Sequence, residues 1–178
     1  MTTTWRVFCA VELPDEVRRR LQDHIARLRK EIPDVGASWS RVENIHLTLK
    51  FYGNVDVDRI EATSAAIDRA VKGYAPFEIG VGKTGSFRSQ VLWIGVSDPS
   101  GTLTTLHERL GSEERAFKPH LTIARIRRPE GARRLVDAHR QMQFENVSVQ
   151  VKEVILFRSE LSPKGSKYTA ISNHGLVG

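Results

Sequence analysis

One four-residue phrase occurs twice and limits this chain more than any other feature: His46-Leu47-Thr48-Leu49 and His120-Leu121-Thr122-Ile123. In both copies polar and aliphatic residues alternate, which is the pattern of a strand with one buried face. Side chains two positions apart on a strand share a face, so each phrase sets an imidazole beside a hydroxyl. Leu47, Leu49, Leu121 and Ile123 then point the other way, into a core. The chain presents two copies of one polar pair, each held on rigid backbone.

The surrounding sequence predicts alternating strands and helices. Trp5 to Leu13 reads as a strand, and Pro14-Asp15-Glu16 supplies a helix start that complements the helix dipole. Val17, Leu21, Ile25 and Leu28 follow at helical spacing to about residue 31, where Pro33 intervenes. A short strand is expected from Trp39 to Val42, then a strand from the first phrase to about Tyr52, broken by Gly53-Asn54. Asp56 can cap a helix carrying Ile60, Ile67 and Val71. Phe77–Val81 and Val91–Val96 read as strands flanking a loop, Gly82–Gln90, and Leu103, Leu106 and Leu110 define a short helix. A strand through the second phrase, a helix after Pro129 and three closing strands complete the reading. The phrases lie 74 residues apart (120 − 46), each followed by a helix. That order predicts one α+β domain over residues 1–178, made of two related lobes with the phrases on central strands facing one cleft.

At 178 residues and 40% hydrophobic content, the chain can bury a core of this size. Its one cysteine, Cys9, lies in the apolar run Val7–Val11 and reads as a core residue, which also excludes a disulfide scaffold. Met1–Arg6 has no basic stretch followed by a continuous apolar one, and no run approaches the ~18 apolar residues of a membrane span, so a cytoplasmic protein away from membranes is expected. The net charge of +6 suits a polyanion such as RNA, and equally suits solvated helix faces with no partner. Arg18, Arg19 and Arg20 read as one such solvent face, whereas Arg125, Arg127 and Arg128 follow the second phrase directly and carry more weight.

Two histidines facing one phosphorus centre can divide acid–base work. A neutral imidazole takes a proton from water or a hydroxyl, while an imidazolium gives one to the departing oxygen. Each threonine can hydrogen-bond the non-bridging phosphate oxygens where charge accumulates. Neither a nucleophilic side chain nor a metal or cofactor is required, and His-x-Thr lacks the spacing of helical metal ligands. A satisfied core histidine explains either phrase alone but not the matched pair. Of the other histidines, His107 reads as a helix-edge residue, His24 and His139 as solvated, and His174 belongs to a terminal segment without a motif.

At these residues the chain resembles the 2H phosphoesterase superfamily, in its RNA 2′,3′-cyclic phosphodiesterase branch, the LigT-like proteins once called 2′–5′ RNA ligases. The likeness takes in Arg6–Val11, Trp39, His46–Gly53, Val91–Val96, Phe117–Arg125, Val154–Leu161, Gly165 and Tyr168. It implies a bilobal α+β fold with two mainly antiparallel sheets facing a central cleft and helices outside. It further implies that His46 is the proton donor to the ribose 3′-oxygen and His120 the proton acceptor that activates water. Thr48 and Thr122 would hold the phosphate, and RNA with 2′,3′-cyclic phosphate ends would be the partner, with no obligate protein partner.

The resemblance also places Phe51 and Arg125, each five residues after its histidine, around the terminal base. Strict strand alternation turns those two side chains away from the histidines, so a bulge or a strand end is expected near residue 50 and near residue 124. Departures from the family pattern are Tyr52, where an aliphatic residue is usual, and a short charged segment between Leu110 and Phe117. The implied reaction opens the cyclic phosphate to a 2′-phosphate, with weak reverse 2′–5′ joining. The alternatives are a 2H activity on a small cyclic nucleotide or another RNA 3′ end, and a non-catalytic RNA-binding module.

Overall fold

The computed structural model describes residues 3–111 and 116–178, so part of the charged segment between Leu110 and Phe117 lies outside the described residues. Nine strands and four helices are described in chain order: β1 Thr4–Val11, α1 Asp15–Glu31, β2 Ala37–Trp39, β3 Leu47–Asp56, α2 Ile60–Val71, β4 Phe77–Phe87 and β5 Val91–Ser97, then α3 Thr102–Arg109, β6 His120–Ile126, α4 Ala132–Gln141, β7 Val147–Val151, β8 Glu153–Ser162 and β9 Gly165–Gly175. They form two antiparallel sheets, a four-stranded one in the order β3-β1-β8-β9 and a five-stranded one in the order β2-β6-β5-β4-β7. The expected α+β architecture of two sheets with outer helices is what forms.

Each sheet has a buried back and a front turned to the cleft. On β1 the alternation is complete: Val7, Cys9 and Val11 join the main core, whereas Phe8 and Ala10 form a smaller cluster with Ile155 and Phe157 on the front. Val17, Leu21, Ile25 and Leu28 of α1 are buried at the predicted helical spacing. The α1 and α4 helices pack on each other and α4 on β4, while α2 packs on β9 and α3. Cys9 is fully buried, and burial pushes its thiol pKa up to about 12, so it is a core residue and not a nucleophile. Among the described residues no helix is long and apolar enough to cross a membrane.

Several local expectations are corrected. The first phrase leads into an edge strand, β3, and not a central one, because the order β3-β1-β8-β9 puts β1 and β8 inside. Of the two phrase-bearing strands only β6 is flanked on both sides, by β2 and β5. Gly53 does not end β3: with φ +73 it adopts a backbone that side chains disfavour, and the strand continues to Asp56. A 3₁₀ turn at Val57–Arg59 separates Asp56 from α2, so Asp56 does not cap that helix. The expected loop at Gly82–Gln90 is mostly strand, since β4 runs to Phe87 and turns into β5 through Arg88 and Ser89, both at positive φ. The strand expected at Trp39–Val42 ends at Trp39, and Val42–Asn44 form a 3₁₀ turn instead.

Candidate active site

Each histidine stands at the start of its strand, and the same local bond fixes both. His46 Nδ1 lies 2.6 Å from the Asn44 carbonyl oxygen and His120 Nδ1 lies 2.7 Å from that of Lys118. A carbonyl only accepts, so Nδ1 carries the hydrogen in each ring and donates it. In the neutral ring Nε2 is then left as a bare lone pair; in the charged ring it holds the one transferable proton. The two i−2 contacts orient both imidazoles in one tautomer, and both residues line one cleft of about 1060 Å³ between the sheets. Thr48 and Thr122 line the same cleft.

Of the two expected irregularities, a bulge or a strand end, both strands carry the bulge. Along β3, Thr48 pairs with Ala10 and Lys50 with Cys9, which leaves Leu49 as the extra residue. Along β6, Thr122 pairs with Trp93 and Ala124 with Leu92, which leaves Ile123 extra. The surplus residue is the last of the phrase each time. It reverses the parity of the residues after it, so Phe51 pairs with the front-facing Phe8 and Arg125 with Val91. Both reach the cleft. Phe51 is 60% exposed although it is a large apolar ring, with Phe8 at 5.6 Å between centroids on one side. All six predicted site residues are brought together.

The surroundings of the two rings differ. His46 stacks on Phe8 at 4.6 Å and meets the Tyr168 ring edge-on at 5.3 Å. Burial pushes the His46 pKa below its ordinary value; the bond to the Asn44 carbonyl opposes that shift and the nearby Arg18 charge adds to it. Of the arginines expected on a solvent face, Arg18 turns inward and donates to the carbonyls of Leu13 at 3.1 Å and Val42 at 2.8 Å, bracing the turn that precedes His46. His120 has one edge-on aromatic neighbour, Phe87 at 4.9 Å.

The remaining histidines are buried, which corrects their reading as edge or solvated residues. His107 donates from Nδ1 to the Leu49 carbonyl at 2.7 Å and stacks on Phe117 at 4.0 Å, so α3 clamps the bulge of the first phrase. On the other sheet His139 of α4 donates from Nε2 to the Trp93 carbonyl at 3.0 Å, beside the strand position paired with Thr122. His24 in turn donates to His139 Nδ1 at 3.0 Å. Burial pushes the His24 pKa down to about 4, with the His139 and Arg27 charges adding to the shift, and burial also lowers that of His139. His174 bonds Asp68 at 2.5 Å and Ser172 at 2.8 Å, tying α2 to β9. Helical periodicity did place His24 on the buried stripe one turn after Leu21, a signal that polarity alone concealed.

Two antiparallel sheets around a cleft with one His-x-Thr pair from each define the LigT-like α+β class. The chain belongs to the 2′-5′ RNA ligase superfamily, whose family model matches residues 13–163. An RNA 2′,3′-cyclic phosphodiesterase of Methanothermobacter thermautotrophicus is 34% identical over 179 residues, covering 92% of this chain and 95% of that protein. One from Thermotoga maritima is 31% identical over 179 residues, covering 93% and 92%. Among solved structures, Escherichia coli LigT complexed with phosphate superposes with a TM-score of 0.73 at 27% identity, covering 98% of this chain and 99% of that one. The same protein in its apo form gives 0.76 at 26% identity, covering 99% of each chain.

Proposed function

We propose that this single domain, residues 1–178, hydrolyses 2′,3′-cyclic phosphate ends of RNA to 2′-phosphates by acid–base catalysis. The observation that carries the reading is the matched pair of Nδ1 bonds, which leaves two imidazole Nε2 atoms as the working atoms of one cleft. The two relatives described above are RNA 2′,3′-cyclic phosphodiesterases, which supports the substrate class.

In this mechanism His120 Nε2 accepts a proton from water as the water oxygen attacks phosphorus. His46 Nε2 gives its proton to the ribose 3′-oxygen as the P–O3′ bond breaks, and the 2′-phosphate remains on the RNA. Thr48 and Thr122 donate hydrogen bonds to the non-bridging oxygens, and these bonds strengthen as charge develops there. Phe51 and Arg125 hold the terminal base between an aromatic face and a guanidinium, a mode of recognition that tolerates any base. No step needs a metal. Because burial holds His46 below its ordinary pKa in the free protein, the anionic substrate has to raise its proton affinity on binding. A 5′-hydroxyl replacing the water gives the reverse 2′–5′ joining.

The test is direct. A cyclic-phosphate-ended oligonucleotide is incubated with the protein and with His46→Ala and His120→Ala. The expected product is the 2′-phosphate, formed equally well in EDTA and nearly lost in each variant. Full activity in either variant defeats the two-histidine mechanism. Salt-sensitive RNA binding that survives both substitutions, with no phosphate product, would mark a binding module instead.

A further inference from the structure

The surplus residue of a bulge drops out of the strand ladder, so its buried backbone groups need partners from elsewhere. The two phrases meet this need differently. In the five-stranded sheet the carbonyl of Ile123 accepts from the backbone N–H of Ser40, 2.9 Å away and just past the end of β2. Because β6 lies inside its sheet, a neighbouring strand is at hand. Among the described residues β3 is an edge strand, paired with β1 alone. There the carbonyl of Leu49 accepts from His107 Nδ1 on α3, at 2.7 Å. A side chain stands where the other sheet uses a strand.

The burial of this imidazole calls for a reason. His107 is 3% exposed and shares the buried face of α3 with Leu103 and Leu106. Among the described residues its Nε2 has no hydrogen-bond partner, and the bond to Leu49 is the ring's one polar contact. An apolar side chain would fill the space without burying a polar atom. Lys50, next after the bulge, donates to the carbonyls of Leu110 and Gly111, which holds the end of α3 against the same stretch of β3. The His107 ring also stacks on Phe117, three residues before His120, with centroids 4.0 Å apart.

We infer that His107 is a positioning residue: its bond to the Leu49 carbonyl holds the bulge that turns Phe51 into the cleft, and so sets the grip on the terminal base. The inference rests on the proposed phosphodiesterase reading. Without the bulge, strand alternation turns Phe51 away from Phe8 and out of the cleft. His46 and Thr48 precede the bulge, so their direction along the strand does not depend on it. Loss of the bond therefore weakens substrate binding and spares the chemical step.

His107→Phe keeps an aromatic ring against Phe117 and removes the donor. KM for a cyclic-phosphate-ended trinucleotide should rise at least ~5-fold, with kcat within ~2-fold of the unaltered protein. His107→Asn puts an amide N–H at the place of Nδ1. It should bring KM back to within ~2-fold of the unaltered protein, although it gives up the stacking. Because His107 acts through Phe51, adding His107→Phe to Phe51→Ala should raise KM no more than ~2-fold further. An unchanged KM in His107→Phe, an equal fall in kcat, no recovery in His107→Asn or a fully additive double variant each overturns the assignment. If His107→Phe does not fold, nitrogen NMR of the unaltered protein decides: a hydrogen on His107 Nδ1 supports the bond, and a bare Nδ1 overturns it. An unaltered protein without hydrolysis defeats the phosphodiesterase reading itself, and the role of His107 with it.

Discussion

The two His-x-Thr phrases are nearly the same in sequence and in backbone, yet they sit on unlike surfaces. Around His46 the sheet front is filled by Phe8, Phe157 and Tyr168; around His120 it is Gly95, Gly82 and Gly85, overlain by the Asn146 side chain and the Trp93 indole, with Phe87 beside the imidazole. Under the proposed mechanism this difference in surroundings gives the pair different work. The packed side desolvates its imidazole and lowers its proton affinity, which readies it to respond to an incoming anion. His120 also borders a cavity of about 480 Å³ on its own sheet. An internal pseudo-symmetry of motifs thus carries an asymmetric site, and the asymmetry lies in the neighbours of the motifs.

Replacing the histidines one at a time tests this division most severely. His46→Ala and His120→Ala should each lower turnover by ~10²–10⁴-fold, the usual scale of general acid–base catalysis. Their residual pH profiles should differ: loss of the donor removes the limb that falls at high pH, and loss of the acceptor removes the limb that falls at low pH. The opposite pattern would exchange the two roles.

Thr48→Val and Thr122→Val come next, at ~10²-fold each in kcat with little change in KM, as expected for donors that act on developing charge. Equal losses in the two variants would indicate a phosphate held symmetrically. Phe51→Ala removes the stacking face and should raise KM by ~5–100-fold, which corresponds to ~1–3 kcal/mol, and leave kcat nearly unchanged. The same KM effect from Arg125→Ala would support a sandwich of the base.

A smaller effect separates the free protein from its complex. The donor must be protonated, and burial lowers the His46 pKa, so the high-pH limb of kcat/KM should fall below the ordinary histidine range of about 6.5. The same limb in kcat should lie higher, because bound phosphate restores the charge. Coincident limbs would remove the link between desolvation and the donor role.

The sheets also differ in what lies behind them. His24 and His139 are buried neutral behind the second phrase, so the unfolded chain binds their protons at a higher pH than the folded one does. Stability is therefore fully present above about pH 6.5 and falls as the pH drops toward 4, by on the order of 3 kcal/mol for His24. Urea titrations at pH 7 and pH 4.5 should show the loss, and His24→Leu should flatten it. A pH-independent midpoint would contradict the buried neutral pair.

Much of the site was legible because strand alternation is a local rule. It placed His46 beside Thr48 and His120 beside Thr122, and its conflict with the expected positions of Phe51 and Arg125 called for a bulge or a strand end, which the structure resolves as bulges at Leu49 and Ile123. Local rules failed where the outcome depended on distant chain. The Gly82–Gln90 stretch looks like a loop by composition, yet β5 pairs along it from Gly82 to Phe87. Polarity assigned His24 and His139 to solvent and His107 to a helix edge, but carbonyls and a partner imidazole reached from other elements give each at least one hydrogen bond in the core.

The chemistry available to this protein is written in short stretches of its chain. The residue types, their two-residue spacing and the apolar positions between them require imidazole–hydroxyl pairs on strands, since side-chain direction along a strand is fixed over two residues. Long-range pairing settled that both pairs line one cleft, that β3 is an edge strand, and that His46 is packed by Phe8 and Tyr168 while His120 has Phe87 alone edge-on to it. Those properties depend on which strands become neighbours. Neighbours are chosen by burial across the whole chain, and no short window of sequence contains that choice.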